Sequence, residues 1–244
     1  MMKLYYAEPG NFLPGSCHLP GPFIKSWSLL TCLVLSVLMS ACDGGNDNNH
    51  CNSNRGPQTL TGRFIDSPVE GLRYSSFDTR IADACASHSG ATDSNGEFLY
   101  EPGHYVLFSF CPACTPFARF PAQAIVTPAD IVDAAWSIED KGRTFRNLLR
   151  FIQTLDVDGD PNNGIRLATI PTDVYYEAYP VGGTIMDIDV FDVDESEFEN
   201  DDAILTIIGR VTNTSNLVDA QTAEAHFDQV IAGLPDYEDP RLSW

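Results

Sequence analysis

Two spacings of apolar residues follow one another along this chain. Between Leu60 and Phe110 apolar and polar residues alternate, the period of half-buried strands; from Ile131 to Leu234 apolar residues recur every three or four positions, the period of helices packed on one face. In the first part, Leu60–Ile65 reads as a strand, Asp66-Ser67-Pro68 as a turn, and Val69–Phe77 as a second strand. A loop-like stretch follows from Asp78 to Ser89. The segment from Ser89 to Tyr100 carries Asn95-Gly96, the strongest short hairpin signal. After a turn at Glu101-Pro102-Gly103, His104, Val106, Phe108 and Phe110 share one face of a further strand, with His104 expected to be half buried there. Several short strands with regular turns predict a small antiparallel β-sandwich.

The helical part opens at Thr127-Pro128-Ala129-Asp130, where Thr127 suits the N-cap, Pro128 the first helical position and Asp130 the positive end of the helix dipole. Ile131, Val132, Ala135 and Trp136 form its predicted apolar stripe, and Lys141-Gly142 breaks the chain before the next helix. That helix has Phe145, Leu148, Leu149, Ile152 and Leu155 on one stripe and Arg143, Arg146 and Arg150 largely off it. Beyond it the spacing predicts a short helix over Thr172–Ala178 and a strand over Thr184–Val190. A helix follows through Phe198, Ile204, Ile207 and Ile208. Asp219 caps a last helix, with Ala223, Phe227, Val230, Ile231 and Leu234 inside, Gly233 near its stop, and His226 read as a packing or surface residue. The fold class is therefore α+β: an antiparallel β-sandwich over 59–122, a mostly helical domain over 123–236, and a tail over 237–244.

Where the central helix stops, the chain reads Asp156-Val157-Asp158-Gly159-Asp160-Pro161-Asn162-Asn163-Gly164. Asp156, Asp158, Asp160 and Asn162 alternate, a spacing that lets a curled loop aim several oxygens at one centre, as hard cations such as calcium require. The full EF-hand pattern is absent: Leu167 stands at the twelfth position, and Gly159 comes early. Asp, Asn, Gly and Pro are also ordinary turn residues, so a calcium site and a plain helix stop remain the two readings. A second acidic run, Asp187 to Glu197, reads as a solvated face or as a source of further ligands for the same cation.

The start of the chain changes the picture of where the protein works. Residues 1–41 comprise a polar leader, Lys25, an apolar run from Leu29 to Leu38, and the exit Met39-Ser40-Ala41 before Cys42. A basic flank, a short apolar core and a small-residue exit make a secretory signal, and the run is too short for a stable membrane span. The exit resembles the lipobox of bacterial lipoproteins, which implies lipidation of Cys42 and attachment to the membrane through its acyl chains. Residues 42–58 are nearly free of large apolar groups and form a flexible tether. The chain holds 14 basic and 34 acidic side chains for a formal net charge of −20, so neither nucleic acid nor anionic lipid is a partner by charge.

The segments Gly-Arg-Phe-Ile-Asp-Ser-Pro-Val-Glu-Gly-Leu-Arg-Tyr (62–74) and Gly-Ala-Thr-Asp-Ser-Asn-Gly-Glu-Phe-Leu-Tyr-Glu-Pro-Gly (90–103) resemble carboxypeptidase-regulatory-like domains, which have a prealbumin-like β-sandwich. With the later Leu-Asp-Val-Asp-Gly-Asp-Pro-Asn-Asn-Gly-Ile (155–165) and Ala-Glu-Ala-His-Phe (223–227), the order of features resembles a family of uncharacterised bacterial lipoproteins with no assigned activity. The likeness covers 60–110, 127–167 and 217–234. It departs at Cys111-Pro112-Ala113-Cys114, where that family continues a plain strand.

An oxidising compartment makes disulfides the default fate of the remaining cysteines. The expected bond joins Cys85, in the long loop, to Cys111 or Cys114; a bond between Cys111 and Cys114 themselves would favour a redox role instead. No nucleophile elbow, phosphate loop or metalloprotease helix is present in the sequence. The reading is a lipid-anchored protein of the bacterial cell envelope, periplasmic or surface-exposed, with a non-catalytic binding or structural role and an envelope protein or polysaccharide as partner. The rival reading is a carboxylate-dependent hydrolase of envelope polysaccharide. A cleft with convergent carboxylates, one of raised pKa, would mark the hydrolase.

Overall fold

Alternation places Phe64, Phe98, Val106 and Phe108 inward, and these residues carry the strands of this protein. A computed structural model describes residues 58–78, 86–117, 119–181 and 186–244. The leader and signal, Cys42, most of the tether and Cys85 lie outside the described residues. The described residues group as one compact unit.

Two larger sheets form. In the first, β1 (Leu60–Phe64) pairs antiparallel with β5 (Glu97–Tyr100), Leu60 opposite Tyr100, and parallel with β8 (Ile125–Val126), Phe64 opposite Val126. In the second, β4 (His88–Ala91), β3 (Arg73–Phe77), β6 (Tyr105–Ser109) and β7 (Phe120–Pro121) lie side by side and antiparallel. Rings from the two sheets meet: Phe108 of β6 lies 5.1 Å from Phe64 and 5.1 Å from Phe98, both edge-on. A short parallel pair, β2 (Val69–Glu70) with β9 (Ile165–Arg166), ties the first turn to the loop after the central helix.

The architecture is mixed α+β, but the strand pairing departs from an all-antiparallel expectation at β1–β8 and β2–β9. Asn95-Gly96 does form a turn, yet its flanking strands do not pair with each other, because β4 joins β3 while β5 joins β1. Gly96 has φ +73, and a Cβ there would lie 2.5 Å from the Phe64 carbonyl oxygen, so this crossing between sheets demands glycine. The expected strand Val69–Phe77 is split, since Gly71 with φ +91 sends β2 and β3 into different sheets.

Helix α1 (Pro128–Ala134) begins with a complete capping box between Thr127 and Asp130. Ile131, Val132 and Ala135 are buried as their spacing predicts, but Trp136 is 96% exposed. The helix ends at Ala134 and Ala135 is extended, so helical spacing no longer governs Trp136. Helix α2 (Lys141–Thr154) is capped by Asp140, and Gly142 lies inside its first turn rather than breaking it. Its stripe Phe145, Leu148, Leu149, Ile152 and Leu155 is buried, and Phe151 lies 4.9 Å from Phe110 at the end of β6. One core therefore runs from the strands through α2 into the later helices, across the boundary expected at 122–123. Burying large side chains stabilises by about 1.5–3 kcal/mol each, so the buried stripe of α2 contributes to the support of both halves.

After β9 come α3 (Thr172–Ala178), α4 (Glu195–Phe198), α5 (Asp202–Val211) and α6 (Ala220–Ile231). The strand expected over Thr184–Val190 is a 3-10 turn at Ile188–Phe191, because the Asp187 side chain accepts from the Asp189 N–H and curls the backbone; Thr184 and Ile185 lie outside the described residues. The acidic segment docks along α2: Arg143 pairs with Asp192 (2.8 Å) and Asp194 (3.1 Å), Arg146 with Glu195 (2.8 Å) and Arg150 with Glu199 (2.6 Å). Asn147 donates to the carbonyls of Phe191 and Val193. Asp192 also accepts from the backbone of Glu139 and Asp140 at the start of α2, so it serves the opposite end of that helix from the Asp156 loop.

Candidate functional site

Helix α2 ends where its backbone meets the returning chain. Val157 N–H donates to the Arg166 carbonyl (2.9 Å) and Ala168 N–H to that of Leu155 (2.7 Å), pinning the loop at both ends. The loop, the end of α2, the segment 212–218 and one face of α6 surround an open cleft of about 780 Å³. Asp156, Asp158, Asp160 and Asn162 all line it, with Gln153, Asn216 and His226. Neither lysine nor arginine does.

The four predicted ligands make different hydrogen bonds. Asp156 is 5% exposed; one oxygen accepts from the Arg166 N–H (3.0 Å), while Oδ2 is buried without a donor. Burial pushes its pKa up, and the neighbouring Asp158 carboxylate adds to this. Asp158 is held low by the Asp160 N–H and the Asn163 amide. Two neighbouring ionised carboxylates repel, and a shared proton, a cation or solvent on the exposed Asp158 relieves this. Asp160 and Asn162 are instead turned onto each other: Oδ1 of Asp160 accepts from the backbone N–H (3.2 Å) and side-chain amide (2.9 Å) of Asn162 and caps the 3-10 turn Pro161–Asn163. Among the described residues, no group of three or more His, Cys, Asp or Glu side chains is arranged around a metal position.

The floor of the cleft holds groups that periodicity does not single out. Gln153 Nε2 donates to both Asp66 oxygens (3.3 and 3.2 Å) and to the Ala223 carbonyl (3.1 Å), while its Oε1 is buried without a donor. Asp66 is fully buried, and that burial raises its pKa from 3.8 to about 7 against the pull of the Gln153 amide. Next to it Ser67 has φ +63, and its Oγ lies 3.0 Å from Nε2 of His226. Burial lowers the His226 pKa, favouring the neutral imidazole, while the Asp66 carbonyl and the Asp160 carboxylate oppose the shift. The turn after β1 is thus locked to α2 and α6 by polar contacts beneath the cleft. Read locally, Asp66-Ser67-Pro68 is only a turn; its partners stand 87 and 159 residues away.

Cys111 and Cys114 form a disulfide with each other, which corrects the expected bond from Cys85 to one of them. A bond across three residues needs only a tight turn, and that turn ends β6 before Phe117 N–H returns to the Phe108 carbonyl (2.8 Å). Cys111 is 1% and Cys114 7% exposed, and neither opens a helix whose dipole would stabilise a thiolate. The bond therefore acts as a clip on the chain reversal between β6 and β7.

A scan against protein-family models gave no match, and comparisons with curated proteins and with solved structures gave none.

Proposed function

We propose that this chain is a lipid-anchored protein of the bacterial cell envelope whose folded part is a non-catalytic binding module. Cys42 carries the lipid, the tether spans residues 42–58, and the two larger sheets form a prealbumin-like sandwich. The cleft beside the Asp156 loop takes the ligand. A cleft lined by three aspartates and, among the described residues, by neither lysine nor arginine repels anions, so the ligand is a hydroxylated or cationic group of an envelope polysaccharide or protein. The observation that carries the reading is the buried Oδ2 of Asp156, without a donor, next to the Asp158 carboxylate. Calcium between Asp156 and Asp158 meets that need, with backbone carbonyls and water completing six to eight oxygens and Asp160 and Asn162 joining only on turning away from each other.

The test is thermal unfolding of the purified protein with calcium, with magnesium and with chelator. Ion at a hundredfold excess over its Kd stabilises by about 2.7 kcal/mol. A midpoint raised by calcium, less so by magnesium, and insensitive to calcium in Asp158→Ala supports the reading. Equal midpoints in all three conditions leave the loop as a helix stop.

One observation favours the rival hydrolase: Asp156 is raised and Asp158 lowered, the asymmetry of a general acid beside a carboxylate. Release of reducing ends from purified envelope polysaccharide, lost in Asp156→Asn, would establish that reading in place of the binding module.

A further inference from the structure

The arginines of α2 neutralise Asp192, Asp194, Glu195 and Glu199, but other acids nearby are left without them. Asp187, Asp189, Glu197, Asp201 and Asp202 line a second open cleft, of about 730 Å³, between the end of α3, the 3-10 turn Ile188–Phe191 and the start of α5. Among the described residues no lysine or arginine lines this cleft either. Asp201 uses one oxygen to cap α5 through the Ile204 N–H (2.8 Å), Asp187 accepts from the Asp189 N–H (3.2 Å), and Asp189 accepts from the Ser137 hydroxyl (2.6 Å). None of these contacts supplies a cation.

A second observation is independent of the acids. Tyr179 lines the same cleft, is 6% exposed, and its hydroxyl is buried without a hydrogen-bond partner. The Asp201 carboxylate, the Tyr175 phenol and the Asp187 carboxylate are the ionisable groups that act on it. A buried phenol without a partner is costly and marks a position where a donor or acceptor is to be supplied. Crowding points the same way, since burial and then Asp189 push the Asp187 pKa up. A cation in the cleft relieves both.

The chemistry of the cation follows from geometry. Calcium and magnesium need several oxygens around one point, and among the described residues no three acidic side chains converge in that way. Five acidic side chains line the cleft without three of them meeting at one point, which matches a ligand with separated positive charges. An ammonium also donates hydrogen bonds, which suits a phenol oxygen beside two carboxylates.

We propose that this second cleft binds a small linear polyamine, with one ammonium between Tyr179 and Asp187 and another toward Glu197. It is a different cleft from that of the Asp156 loop, and the two proposals stand or fall separately.

The experiment is calorimetric titration of the purified protein with spermidine at low salt, with calcium and magnesium titrated alone in parallel. A saturable site is expected, weakened by added salt. Tyr179→Phe keeps the ring and removes the hydroxyl; Asp187→Asn keeps the acceptor for the Asp189 N–H and removes the charge. Each should weaken spermidine about tenfold or more, the scale of one lost charge-assisted hydrogen bond. Glu195→Gln, at the Arg146 pair, should leave the affinity unchanged and reports diffuse attraction to an acidic chain. No saturable heat with spermidine overturns the proposal, as does equal affinity in Tyr179→Phe and Asp187→Asn. Saturation by calcium alone that Asp187→Asn abolishes overturns it in favour of a metal ion.

Discussion

Asp66→Asn tests the energetics of the cleft floor. Asp66 is fully buried, and its pKa of about 7 lies well above the 3.8 of an exposed carboxyl. The folded protein therefore binds a proton that the unfolded chain has released between those values. Stability falls as pH rises wherever the folded state holds more protons, by about 1.4 kcal/mol per pH unit for one group. From pH 3.8 to about 7 the loss attributable to this carboxyl is about 4 kcal/mol. Above the folded-state value it stops growing. The stabilising form is thus the acid, fully present below pH 3.8 and lost as pH approaches about 7. An asparagine at this position accepts from Gln153 Nε2 and donates to Gln153 Oε1, the atom now without a donor. The measurement is denaturant unfolding of both proteins over a pH series. Asp130, Asp156 and Asp187 are also raised, and Asp133, Asp158 and Asp192 lowered, so neither curve alone isolates Asp66. The difference between the curves does. Asp66→Asn should gain about 3 kcal/mol relative to the natural protein between about pH 5 and about pH 8. A difference that is the same at both pH values would refute the argument, because the carboxyl would then be ionised throughout.

The remaining predictions rest on separate features. Cys42→Ser should move the protein from the membrane fraction to the soluble fraction or leave an uncleaved precursor; normal processing and acylation of the variant would sink the anchor. Peptide mapping without reduction should recover Cys111 and Cys114 in one linked peptide and Cys85 in another, and cutting the bond should cost about 2 kcal/mol for so short a loop. Gly96→Ala must place a side chain at φ +73 against the Phe64 carbonyl, so unfolding should show a loss of at least about 1–2 kcal/mol, and an unchanged midpoint would mean that the crossing between the sheets relaxes freely.

What the sequence by itself determined is what neighbours along the chain can decide. The capping box of Thr127 and Asp130 closes within one turn of helix, and the stripe from Phe145 to Leu155 repeats at the helical period, so α1 and α2 are legible without any partner. The same holds for the face His104, Val106, Phe108 and Phe110, which is buried as alternation requires. The acidic loop follows α2 as expected, but the helix already ends at Thr154, before Gly159 and Pro161, where Leu155 and Val157 pair with the returning chain. Tertiary structure alone decided the rest. A turn signal such as Asn95-Gly96 sets a change of direction, not which strand lies beside the next, and here the neighbours are β3 and β1. Alternating acids can point at one centre, but only the packing of Leu155 and Asp156 against 166–168 determines that Asp156 meets Asp158 while Asp160 and Asn162 face each other. Charge counts cannot say which acids the α2 arginines neutralise, because those pairs span about fifty residues and form only when the whole core has closed. The Asp66–Gln153 and Ser67–His226 contacts are the extreme case: four polar residues with no common period, brought together because β1, α2 and α6 bury their apolar faces against one core.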